Sequence, residues 1–126
     1  MDITILTPGA SGGYGGISKY NSNLINFFLK KKEIEKIFLF SRTKTNYKNK
    51  KILYVNEENI LIFFFRILFN QFKILKSDLI FVTHINLILF CLLPILMKKK
   101  VILCTYGLEI WGNKKKLCLP MVNKKN

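Results

Sequence analysis

Five short apolar runs recur along the chain, each closed by polar or glycine residues: "DITILT" (residues 2–7), "KIFLFS" (36–41), "KILYV" (51–55), "DLIFVT" (78–83) and "VILCTYG" (101–107). They are rich in β-branched and aromatic residues and too short for helices, so they read as strands buried on both faces. Between most of them lie segments of helical length. Ile17, Tyr20, Leu24, Phe27 and Phe28 recur at intervals of three and four, which predicts an amphipathic helix ending in the lysines that follow. Residues 59–75 predict a second helix headed by Asn59 as a cap, apolar around almost its whole circumference, and residues 86–97 a third. Strands alternating with helices predict an α/β fold: a Rossmann-like parallel sheet with flanking helices.

Ligands of such sheets bind at the carboxyl ends of the strands. The positions to watch are therefore the glycine stretch after the first strand, Ser41 and Arg42 after the second, His84 and Asn86 after the fourth, and Tyr106 to Glu109 after the fifth. The stretch "PGASGGYGG" holds five glycines within residues 9–16. It does not match a dinucleotide fingerprint, since Gly13, Gly15 and Ser18 give only GxGxxS and Arg42 stands where an acid would close the second strand. It also lacks the GKS or GKT ending of a P-loop. What it retains is the ability to bring backbone N–H groups close to a phosphate at a helix N-terminus; a flexible turn is the alternative.

A chain of 126 residues, half of it apolar, is one domain's worth. The balance of 21 basic against 7 acidic residues, +14 overall, favours anionic partners, although the Lys, Ile, Asn and Phe bias also resembles that of an AT-rich coding sequence. Cys91, Cys104 and Cys118 are set among apolar residues with no CxxC pair, and there is one His, so we expect reduced core cysteines of a cytosolic protein and no metal site. The opening "MDITILTPG" has no basic segment before its apolar run, unlike a signal peptide. The longest apolar run, residues 87–97, contains Pro94 and is shorter than the roughly 20 residues that span a bilayer.

Three landmarks, "PGASGGYGGISKYNSNL", "DLIFVTHINLILFCLLPIL" and "KVILCTYGLEIWG", together resemble the amino-terminal domain of family 4 glycosyltransferases, retaining enzymes of the GT-B fold, in the family's order across residues 1–112. The resemblance implies an acceptor-side domain over residues 1–112, followed by an irregular basic tail at 113–126. It implies that Gly13, Gly15, Gly16 and Lys19 face the diphosphate of a nucleotide-sugar donor, that His84 and Asn86 contact the acceptor, and that Tyr106 and Glu109 stand at the catalytic position. Many members carry His-Gly-x-Glu there, whereas this chain has Tyr106, Gly107, Leu108 and Glu109. The family's E-x7-E pattern near the carboxyl end has no counterpart, because Glu109 is the last acid. The expectation is thus a single, incomplete domain of a GT-B fold that does not transfer sugar unaided and lacks its carboxyl-terminal donor domain.

The implied partners are a nucleotide-sugar, as substrate and not cofactor, and a glycan or lipid-linked acceptor. No cofactor, metal or nucleic acid is expected. The implied place is the cytoplasm, at the inner face of the membrane. A second reading is a non-enzymatic basic module for a membrane surface or protein partner, motivated by "NILIFFFRILFNQF" beside the lysine excess. Nucleic-acid binding has the charge but no recognition motif, and the aromatic residues sit in apolar runs, not among the basic ones.

Overall fold

The computed structural model describes residues 1–8, 16–43 and 47–104. Five strands, β1 (Asp2–Thr7), β2 (Lys36–Ser41), β3 (Ile52–Asn56), β4 (Leu79–Val82) and β5 (Lys100–Leu103), form one sheet in the order β3-β2-β1-β4-β5. Every pairing is parallel, with Ile5 of β1 opposite Leu39 of β2 and Phe81 of β4. The chain is α/β with a Rossmann-like sheet, and the strands fall within a residue or two of the expected runs. The remainder of the fifth run, residues 105–107, lies outside the described residues.

Both sheet faces are apolar because alternate residues point to opposite sides. Leu6, Phe40, Ile80 and Val82 face one way and pack with Phe63, Ile67, Ile74, Leu87, Ile88 and Cys91. Ile3, Ile5, Ile37, Leu39 and Ile52 face the other way, against Ile25, Phe28 and Ile34. Helix α1 (Gly16–Lys30) thus covers one face, while α2 (Ile60–Phe69), α3 (Gln71–Lys76), a 3-10 helix (Ile85–Cys91) and α4 (Leu92–Leu96) cover the other. Right-handed crossovers require this: the connection from β1 to β2 and that from β3 back to β4 run in opposite directions across the sheet, so they lie on opposite faces.

The buried stripe of α1 is Ser18, Asn21, Ile25 and Phe28, rotated by about one residue from the stripe that the apolar spacing predicts. Tyr20 and Phe27 are exposed instead. The rotation lets Asn21 reach the end of β1, where its Nδ2 donates to Thr7 Oγ1 at 2.9 Å. Phe27 rests edge-on to Phe28, with Lys31 Nζ 4.8 Å above its ring.

The long helix expected at 59–75 is two helices. Asn59 does cap α2, its Oδ1 accepting from Leu61 N–H at 2.9 Å and Ile62 N–H at 3.3 Å. The break comes at Asn70, whose Nδ2 donates to Arg66 O at 2.7 Å while its own carbonyl starts α3 by accepting from Lys73 and Ile74. A side-chain amide that bonds the preceding turn competes with the helical ladder, and the apolar periodicity carries no sign of it. Likewise the helix expected at 86–97 is a 3-10 turn followed by a short α-helix. Pro94 sits within the first turn of α4, where a missing N–H costs nothing. Among the described residues Cys91 is buried and Cys104 half-buried; Cys118 lies outside them. No helix among the described residues is long and apolar enough to cross a membrane.

Candidate functional site

The order β3-β2-β1-β4-β5 reverses the direction of chain progression between β1 and β4, which opens a crevice above their carboxyl ends. Its floor is rigid. Thr83 N–H donates to Leu6 O at 3.0 Å, the Thr83 hydroxyl reaches the same carbonyl at 3.4 Å, and Thr7 and Thr83 are fully buried. A cleft of about 390 Å³ stands over this floor.

Four lining residues come from three strand ends, Pro8 after β1, Arg42 after β2, and His84 and Asn86 after β4, the last three polar. His84 has an extended backbone, and its Nδ1 accepts the Asn86 N–H at 3.2 Å, capping the 3-10 helix. An accepting Nδ1 assigns the imidazole proton to Nε2. Arg42 donates through Nη2 to Glu58 O at 3.1 Å, whereas its buried Nε has no hydrogen-bond partner among the described residues. Arg42 itself lines the cleft, and a guanidinium there suits an anionic ligand.

The opposite wall is aromatic. Phe63, Phe64 and Phe90 meet edge to face, with Phe90 6.5 Å from Phe63 and 5.2 Å from Phe64 between ring centroids. Phe64, Asn86 and Phe90 also line a second cavity of about 400 Å³, which runs on between Leu68, Leu89, Leu92 and Leu93. A polar head site therefore opens into an apolar groove. Gln71 lies along that groove, its Nε2 donating to Ile67 O and Phe90 O while its buried Oε1 has no partner among the described residues.

The structure brings His84 and Asn86 into one cleft. Gly16 and Lys19 lie on the first turns of α1 at the same sheet edge, Lys19 exposed. No acid stands in the first turn of α1, so Lys19 and the positive end of the helix dipole act in the same sense. Gly13, Gly15, Tyr106 and Glu109 lie outside the described residues. The Tyr20 hydroxyl meets Cys104 beyond β5. The charge of that thiolate, then burial, then their hydrogen bond raise the phenol above its usual pKa. Among the described residues no group of three or more His, Cys, Asp or Glu side chains is placed to hold a metal ion.

Arg42 is a strand-end position that the sequence singled out, whereas the three phenylalanines of the cleft are not. Arg42 had a signal, since it replaces the acid that commonly closes this strand. The phenylalanines had none, because a continuous apolar run does not show which of its members face a cavity. No protein-family model, curated protein sequence or solved structure matches this chain.

Proposed function

We propose that this chain is the acceptor-side domain of a retaining, GT-B type glycosyltransferase, working at the cytoplasmic face of a membrane on a lipid-linked acceptor. The observation that carries the reading is the cleft itself: Arg42, His84 and Asn86 line it together, and it is continuous through Phe64 and Phe90 with an apolar groove. This arrangement suits an amphiphile whose anionic head meets the guanidinium and whose chain lies between α2 and α4. The acceptor hydroxyl would be oriented by His84 and Asn86. The donor's diphosphate would meet the amino-terminal end of α1, near Gly13, Gly15, Gly16 and Lys19. In such an enzyme the sugar moves from nucleotide diphosphate to acceptor oxygen with retention, and a second Rossmann-like domain holds most of the donor. Tyr106 and Glu109 would stand at the transferred sugar.

Titration with farnesyl diphosphate, a soluble amphiphile with a diphosphate head, tests the cleft. Saturable binding is expected, together with markedly weaker binding of inorganic pyrophosphate. Equal affinity for both would remove the groove from the reading, and no binding of either would overturn it.

A further inference from the structure

Helix α2 and its neighbours present an unusual surface. Of the apolar residues in α2, only Phe63 and Ile67 are buried. Phe65, Phe69 and Leu68 are exposed, as are Phe72 of α3 and Leu92 and Leu96 of α4. Phe69, Phe72 and Leu96 reach 81%, 79% and 80% exposure, so they contribute almost nothing to the core. The surface is continuous, because α2 and α4 border the same groove through Leu68 and Leu92. Monomeric proteins rarely leave so large an apolar patch uncovered without a partner.

Charge identifies the partner. Residues 59–104 carry six basic side chains, Arg66, Lys73, Lys76, Lys98, Lys99 and Lys100, against one acid, Asp78. Lys73 and Lys76 close α3, and the three consecutive lysines follow α4, so basic groups flank the apolar residues at the ends of these helices. A second copy of the chain is a poor occupant, since each copy carries +14 and joining these faces would bring like charges together. A bilayer with anionic headgroups takes both components: phenylalanine and leucine below the headgroups, lysine among the phosphates.

We propose that the face formed by α2, α3 and α4 is a membrane-docking surface for anionic lipid, with Phe69, Phe72 and Leu96 as the inserting side chains. This deepens the membrane-face placement proposed above, and it turns the open end of the apolar groove towards the lipid. It does not depend on sugar transfer.

The test is co-sedimentation of the full chain with vesicles of phosphatidylglycerol and phosphatidylcholine that contain no glycan acceptor, so it is separate from the acceptor reading. Binding is expected at low salt, weakening as salt shortens the screening length, with little binding to phosphatidylcholine alone. The double variant Lys73→Glu/Lys76→Glu should lose binding roughly tenfold or more. Lys31→Glu/Lys32→Glu makes the same charge change beyond α1, which covers the other face, and should lose much less. Phe69→Ser and Phe72→Ser, at exposed positions, should keep the parent's circular dichroism and bind more weakly. Absence of binding at low salt would overturn the proposal. So would equal losses from the two lysine pairs, or parent-like binding by both phenylalanine variants.

Discussion

His84 Nδ1 accepts the backbone N–H of Asn86 at 3.2 Å, so the one imidazole of the chain is at once a helix cap and a wall of the cleft. The two roles separate by substitution. His84→Ala removes the cap and should cost about 1 kcal/mol in urea unfolding. His84→Asn keeps a short side-chain acceptor of the best capping type and should recover most of that loss. If the imidazole also contacts ligand, His84→Asn will remain defective in farnesyl diphosphate affinity while its stability returns. Recovery of both would reduce His84 to a cap.

Arg42 supports a sharper contrast between stability and binding. Among the described residues it donates one hydrogen bond, the exposed one to Glu58 O, and its buried Nε has no partner. Arg42→Ala should therefore lower stability by no more than about 1 kcal/mol, the net worth of one hydrogen bond. A charge-assisted contact to a diphosphate is worth about 1.5–3 kcal/mol, so affinity should fall roughly tenfold to a hundredfold. Arg42→Lys keeps the charge but not the planar fork and should recover only part of it. Isothermal titration beside urea denaturation reads both quantities. A large stability loss with unchanged affinity would make Arg42 structural.

Helix α2 divides sharply between core and surface. Ile67 is fully buried between Phe63 and Ile74, whereas Phe69, two residues on, is 81% exposed. Ile67→Ala should destabilise the fold by about 2–5 kcal/mol through lost burial and the cavity left behind. Phe69→Ala should change it by less than about 0.5 kcal/mol despite removing a larger side chain. Chemical denaturation of the two variants checks the contrast, and similar losses would mean that Phe69 is covered in solution.

This contrast also marks how far the sequence could be read. The strands were legible because each is a short β-branched run bounded by breakers, and their parallel arrangement followed from helices between them. His84 and Asn86 were legible as strand-end positions after β4, and both line the cleft. The identity of the buried stripe on α1 was not, because Asn21 is pulled in by a hydrogen bond to Thr7, which hydrophobic spacing does not register. The same holds for the break at Asn70, where a side-chain amide ends a helix whose apolar pattern continues. Nor could composition say which phenylalanines of α2 face solvent, since the whole run is apolar and the sheet accepts only one side of it.

Burial pushes the Cys91 thiol up to about 12, from an ordinary value of 9.0. The neutral thiol is favoured in the folded state, so this contribution to stability is fully present below about pH 9 and is lost as pH rises towards about 12. Near pH 8 a disulfide-exchange reagent should leave Cys91 unmodified in the folded protein and modify it in urea. Peptide mapping after labelling should find the half-buried Cys104 modified ahead of it. Rapid native labelling of Cys91 would show that the core around Ile88 opens more readily than its packing implies.

The end of α4 contains a conformational cost that a single substitution should remove. Lys98 has φ of 59°, the left-handed region, and Lys98 N–H donates to Ile95 O at 3.0 Å while Lys99 N–H donates to Pro94 O at 2.9 Å. These two bonds form the Schellman arrangement, in which the left-handed residue just past the helix is usually glycine. A lysine there brings its Cβ close to the following carbonyl, at a cost of about 1–2 kcal/mol. Glycine relieves that contact but loses more entropy on folding, so Lys98→Gly should raise stability by a net amount of about 0.5–1 kcal/mol. For a domain of this size that corresponds to a rise of about 2–6 °C in Tm. Lys98→Ala, which retains the Cβ, separates backbone relief from charge: it should leave Tm close to the parent's. If alanine and glycine raise Tm equally, the gain comes from removing one of three adjacent lysines and not from the backbone.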